Sequence, residues 1–153
     1  MSPDVEIYAL VIRRLAEVDH GWGKPYEFRA IYVLDHAVPA IEEDMHADIK
    51  GTERERRFDD VLTSALQASL TDLPDLTFVQ SFDEMYDDSR RGPTQIRNGG
   101  VFIALGPVDG DTHTAAVGAM FCGGHLWACW IRYHLERIEV AWRISSSRVL
   151  AVS

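Results

Sequence analysis

Arg132, His134 and Glu136 stand two residues apart in the segment Trp130-Ile131-Arg132-Tyr133-His134-Leu135-Glu136. In an extended strand, residues at i, i+2 and i+4 share one face. A strand here sets a guanidinium, an imidazole and a carboxylate side by side, with the Trp130 indole next in line. A carboxylate can orient a neighbouring imidazole and hold its proton, which makes the pair a general acid or base. His113 joins them if Gly123-Gly124 forms a two-residue hairpin turn. In that register Met120 faces Trp127, Gly118 faces Cys129, and His113 faces His134. The roles expected are His134 as base, Glu136 orienting it, and His113 and Arg132 polarising or anchoring an oxygen. Trp130 would pack on an apolar part of the substrate. The competing reading is a pair of edge-exposed histidines on a dimer surface.

Other residues offer less. Asp35-His36 closes the first expected strand. Sequence neighbours on a strand point to opposite faces, so the two cannot form a dyad while the strand stays regular. His36 is therefore expected to line the sheet end alone, as a substrate-binding residue. Glu17/His20 and Glu43/His46 have the Glu-x-x-His spacing of carboxylate-bridged di-metal bundles. A four-helix bundle does not suit the β-rich second half, so no metal and no cofactor are expected. The run Glu42-Glu43-Asp44 reads as a solvated surface. Cys122 and Cys129 lack zinc-ribbon spacing. In the register above they share a face on different rungs, and Cys129 reads as a small core residue. Gly99-Gly100 and Gly123-Gly124 match no phosphate-loop pattern.

The elements that must position these groups follow from pattern. Ser2, Pro3, Asp4 and Glu6 open a helix whose apolar stripe is Ile7, Leu10, Val11, Leu15 and Val18. Residues 27–34 read as a strand. Residues 35–57 form a long acidic loop with a helical turn near 41–48. A second amphipathic helix carries Phe58, Val61, Leu62, Ala65 and Leu66 on one face. A short strand covers 76–81, and Ser81-Phe82-Asp83-Glu84 has the capping-box pattern of a short helix. Strands are expected at 101–108, 113–121, 126–136 and 141–145, with turns at Asp109-Gly110, Gly123-Gly124 and Ile138-Glu139. The first turn sets Ile103 opposite Ala116. One face then holds Val101, Ile103, Leu105, Ala116, Met120, Trp127, Cys129, Ile131, Tyr133 and Leu135. The other is apolar at one end and ionisable at the other, which suggests a partner surface or a ligand cavity.

Composition bounds the function. The chain has 153 residues, enough for one domain spanning 1–153. Fifteen basic residues against 24 acidic ones give a net charge of −9, which disfavours nucleic acid and anionic membranes as partners. No apolar run reaches the ~20 residues of a membrane span. The acidic N-terminus lacks the pattern of a secretory signal, and two cysteines make no disulfide framework, so a cytoplasmic protein is expected.

Phe121-Cys122-Gly123-Gly124, Tyr133-His134-Leu135-Glu136-Arg137 and Trp142-Arg143-Ile144 resemble the C-terminal halves of uncharacterised bacterial proteins, over about 33 residues. That likeness implies no activity. Helices followed by a curved antiparallel meander resemble the cone of the nuclear-transport-factor-like superfamily, which includes SnoaL-like cyclases and ketosteroid isomerases. The resemblance implies a sheet-lined pocket and transfers no site residue. The strand at 27–34, between the two main helices, departs from the superfamily's order. The expected fold is α+β, with two main helices on one face of a curved antiparallel sheet that ends in a four-stranded meander. The expected function is a small-molecule enzyme or binder of the cyclase, isomerase or dehydratase type, acting on a partly apolar substrate. The alternative is a non-catalytic homodimeric interaction or regulatory module.

Overall fold

A computed structural model of the chain describes residues 2–20, 28–39, 41, 57–92, 94–124 and 127–152. The acidic run at 42–44, Glu43/His46 and the expected helical turn near 41–48 fall almost wholly outside them.

Helix α1 spans Pro3–Glu17. The Ser2 hydroxyl accepts a hydrogen bond from the Val5 amide, Pro3 fills the first turn, and Asp4 and Glu6 complement the dipole. Strand β1 is Ala30–Leu34, helix α2 is Asp60–Ser69 and strand β2 is Asp75–Val79. The Asp59 carboxylate caps α2 through the Leu62 amide at 2.8 Å. Helix α3 covers Phe82–Met85, and a 3-10 turn covers Arg97–Gly99. Strands β3 (Val101–Leu105), β4 (Asp109–Gly110), β5 (Thr114–Gly124), β6 (Trp127–Ile138) and β7 (Ala141–Val152) complete the order.

The seven strands form one mixed, largely antiparallel sheet in the order β2-β1-β3-β5-β6-β7, with β4 paired to β5. The first three are not antiparallel as expected: β1 runs parallel to both β2 and β3. The physical reason is the connection. Parallel neighbours need a long crossover, and α2 supplies it between β1 and β2. The carboxyl ends of β1, β2 and β3 therefore lie at one end of the sheet, together with the start of β5 and the end of β6.

Both faces of the sheet are covered over much of their area. On one, Val11, Ile12 and Leu15 of α1 and Leu66 of α2 share a core with Ile31, Ile103, Val117, Phe121, Ile131 and Tyr133. Val61 of α2 is 79% exposed and is not part of that stripe. On the other, Tyr32, Phe102, Ala104, Met120 and Cys122 pack with Ile41 and Ile96, and Phe82, Met85 and Tyr86 lie against them. The apolar part of the second face thus meets residues of its own chain, an occupant that neither expected reading named.

The register of β5 differs from expectation. Ile103 pairs with Phe121 rather than Ala116. Asp109-Gly110 is no turn: the chain runs on past Leu105, and Asp109 and Gly110 themselves pair with Ala116 and Ala115. Met120 pairs with Trp130 rather than Trp127, because β5 extends to Gly124 and β6 begins at Trp127. Each displacement is an odd number of residues, and an odd slip turns a strand over. The two reversals cancel for β3 and β6, whose odd-numbered residues both face the helices. Only β5 is inverted, so Ala115, Val117, Ala119 and Phe121 take the places expected for Ala116 and Met120. The last hairpin turns at Glu139-Val140, one residue later than expected, with Ile138 opposite Ala141 and Glu139 at φ 58°.

Candidate functional site

The inverted β5 defines the site. The even-numbered residues of its first half, Thr114, Ala116 and Gly118, lie on the second face opposite Glu136, His134 and Arg132 of β6. On β5's other flank Asp109 pairs with Ala116. Ala116 therefore sits between Asp109 and His134, which stand two strand spacings apart, about 10 Å between backbones. Short side chains between longer ones leave an open trough of about 350 Å³. Its lining includes Asp109, Thr114, Ala116, Arg132, His134 and Glu136.

The three side chains of β6 thus meet one space, as their i, i+2, i+4 spacing implies. Their couplings differ from expectation. The Glu136 carboxylate does not orient His134. Its Oε1 accepts from Arg143 Nη2 at 2.7 Å and Nε at 3.1 Å, because Arg143 is its cross-strand partner on β7. The His134 carbonyl accepts a bond from the Ser145 hydroxyl at 3.1 Å. Its ring lies exposed beside the trough.

His113 is not opposite His134. The residue there is Ala116, and the His113 carbonyl instead accepts from the Arg137 amide at 2.8 Å. Its ring contacts Thr112 Oγ1 at 2.9 Å. The reason is the three-residue register difference, which leaves no His113–His134 pair. Trp130 lies one pair beyond Arg132 on the same face, half-buried against the second core, and is not part of the trough lining.

His36 is elsewhere, and it is not alone. β1 ends at Leu34, so Asp35 and His36 escape the alternation that would separate them. His36 Nδ1 meets Asp35 Oδ1 at 2.9 Å. Asp35 Oδ2 lies 3.7 Å from Arg57 Nε, and a backbone bridge joins His36 to Arg57. The His36 ring is fully buried, and among the described residues its Nε2 has no hydrogen-bond partner. The pair sits at the carboxyl end of the central parallel strand, where ligands of open α/β sheets commonly bind. Its sequence signal was the adjacent Asp-His itself, discounted on the assumption of a regular strand.

The cysteines do not share a face. Cys122 belongs to the second-face core and Cys129 to the helix-side core. Burial pushes both thiols up to about 11, so neither is a ready nucleophile. His20 lies beyond the end of α1 and is buried, while Glu17 bonds Arg13, so this Glu-x-x-His does not lie on one helical face. Burial also lowers the His20 pKa.

The fold and trough define an α+β protein with a mixed sheet and a polar recess on its second face. No family model matches the chain, and no curated protein or solved structure matches it significantly. Among the described residues, no helix is long and apolar enough to cross a membrane.

Proposed function

We propose that the protein binds a small, partly apolar molecule in the second-face trough, with His134 as the acid or base that acts on it. The observation carrying this reading is that Arg132, His134 and Glu136 border one recess of about 350 Å³ floored by small residues of β5. Such a volume suits a small ligand. Arg132 anchors an oxygen, and Glu136, held by Arg143, fixes the polar end of the wall. Asp109 faces His134 across Ala116 and takes the opposing polar role that His113 cannot. Cyclisation, isomerisation or dehydration is the chemistry such a pair supports, and the SnoaL-like resemblance points the same way.

Ala116→Leu tests this reading, since the added side chain grows into the trough on the face away from the helices. Backbone-amide NMR against a panel of small metabolites should show saturable shifts at residues 114–118 and 132–136, lost in A116L and altered in His134→Gln. Binding that A116L leaves intact would refute the site, as would a panel that perturbs only other residues.

A second reading, homodimerisation, rests on β7. It is an edge of the sheet from Ala141 to Val152, with Val149 60% and Val152 72% exposed. Exposed edges of this length can pair with another copy.

A further inference from the structure

The amino ends of β1 and β3 lie at the end of the sheet away from the trough, and arginines gather there. Arg29 directly precedes β1, and Arg97 opens the 3-10 turn that leads into β3. The Arg29 amide donates to the Gly99 carbonyl at 3.1 Å, and the Asn98 side-chain amide donates to the Tyr32 hydroxyl at 2.6 Å, so the turn is fixed to β1. Bare Gly99 leaves room for two arginine side chains. A β-carbon there would lie 3.2 Å from Arg29 Cδ and 3.4 Å from Arg90 Nη2. Arg90 reaches this point from the loop after α3. The Asp87 carboxylate accepts from the Ser89 hydroxyl at 2.7 Å and amide at 3.1 Å, and the Arg90 amide donates to the Asp87 carbonyl, which sets the turn that presents Arg90.

The charges of this group are not answered by ion pairs. Arg13, Arg14, Arg57 and Arg143 each hold a carboxylate. Among the described residues Arg29, Arg90 and Arg97 hold none. Arg90 is half-buried, and its Nε is buried with no hydrogen-bond partner among those residues. Asp87 is the acidic group that faces it. The Ser89 bonds are the main cause that holds the Asp87 carboxyl below its ordinary range, and the charges of Arg97 and Arg90 add to them. Asp88 stands near Tyr86. One carboxylate already bonded to Ser89 thus faces two guanidiniums, and Arg29 joins them over Gly99. Taking a charge partly out of water without a counter-ion is costly. In a chain of net charge −9 acidic partners are plentiful, so folding alone does not account for arginines gathered without one.

We propose that Arg29, Arg90 and Arg97 form a phosphate-binding site at the Gly99 turn, separate from the trough and independent of it. A phosphate monoester carries a charge of about −1.5 to −2 at pH 7 and three acceptor oxygens, which suits several guanidiniums better than the single charge of a carboxylate. Each guanidinium offers a fork of N–H donors to such a group. With Nε of Arg90 buried, its donors to the ligand are the Nη nitrogens, one of which lies at Gly99.

The experiment is an amide-NMR titration with sodium phosphate, glycerol 3-phosphate and sodium acetate in turn, at neutral pH and with ionic strength held constant by chloride. Saturable shifts at residues 29, 90 and 97–100 are expected with at least one of the two phosphates. The tighter of them identifies the source as free phosphate or a phosphorylated small molecule. Acetate should bind more weakly than either. Arg29→Gln and Arg90→Gln should each weaken phosphate binding about tenfold, the loss of one charge-assisted contact. Arg137→Gln removes the same charge from β6, outside this cluster, and should leave the affinity unchanged. Amide spectra of the variants without anion, matching the parent away from the substituted residue, guard against a folding artefact. Non-saturable shifts, acetate binding as tightly as phosphate, or equal affinity in R29Q, R90Q and R137Q overturns the inference. The trough is tested by A116L alone, so either reading can fall without the other.

Discussion

Removing the Asp35 carboxylate should destabilise the protein by about 1–3 kcal/mol, and the size of the loss follows from what it leaves behind. Asp35 is 6% exposed and His36 is wholly buried. Among the described residues His36 Nε2 already lacks a partner. In Asp35→Ala the Nδ1 nitrogen loses its acceptor too, and a newly unsatisfied buried polar group costs about 1–3 kcal/mol. The contact with Arg57 adds little, because that guanidinium is 61% exposed and 3.7 Å away. For a domain of this size, each kcal/mol moves the melting temperature by about 2–4 °C. D35A should therefore melt roughly 2–12 °C below the parent. His36→Phe removes both ring nitrogens, the orphaned one included, but deprives the buried Asp35 carboxylate of a hydrogen bond and should lose at least as much. In the double variant the two changes should be non-additive by about 1 kcal/mol, as expected for residues in direct contact. Thermal and urea unfolding of the four proteins measures all three quantities. A D35A melting temperature within 1 °C of the parent, or strict additivity, would show that the pair is not held together in a dry site.

Cys122 and Cys129 should resist alkylation at pH 8 in the folded protein and react rapidly once it is unfolded, because burial holds both thiols near 11. The linked stability is fully present below the ordinary thiol value near 9 and is lost as pH rises towards about 11, since only the unfolded chain gives up its protons in that window. Each thiol contributes up to about 2–3 kcal/mol of that loss. A double Cys→Ala variant with an equally steep alkaline unfolding curve would contradict this account. If β7 joins two copies edge to edge, sedimentation should show a concentration-dependent dimer that Val149→Lys dissociates. A parent protein that sediments as a monomer at 100-fold varied concentration removes the homodimer reading.

The parts of the fold that the sequence made legible are those with one strong pattern. α1 carries its cap, its proline and its stripe together, and β6 alternates Cys129, Ile131, Tyr133 and Leu135 with Trp130, Arg132, His134 and Glu136. That alternation put Arg132, His134 and Glu136 on the face of the trough, though Trp130, on the same face, lies outside it. β5 resisted for a physical reason. Thr-Ala-Ala-Val-Gly-Ala-Met-Phe-Cys is small or apolar at both parities, so its pattern does not discriminate between registers. Asp109-Gly110 then supplied strong but misleading turn chemistry, and His113 was misplaced with it. The Asp35–His36 contact was hidden because it depends on where β1 stops, and strand ends are poorly marked by composition. The cover of the second face was hidden too, since Phe82 and Met85 come from a helix of one turn and Tyr86 and Ile96 from irregular chain, all too short to show a period.

The same weakness of pattern in β5 bears on function. On the helix side, Ala115, Val117, Ala119 and Phe121 meet the demands of packing. Nothing in that packing requires Thr114, Ala116 and Gly118 on the opposite face to be small, and alanine and glycine are poor strand residues. Beside Gly118 it is the neighbouring Gly106 whose size is constrained. The Gly106 amide donates to the Gly118 carbonyl at 2.7 Å, and a side-chain carbon on Gly106 would come within 3.0 Å of Ile41 and 3.2 Å of that carbonyl. The chain is drawn close there. Ala116 lies between Asp109 and His134, in the lining of the recess. A larger β-branched residue would favour the strand and fill the gap. Strand propensity is thus given up where the trough lies and where the ionisable side chains of β6 converge. Such local departures from what stability favours are expected at sites shaped by a ligand.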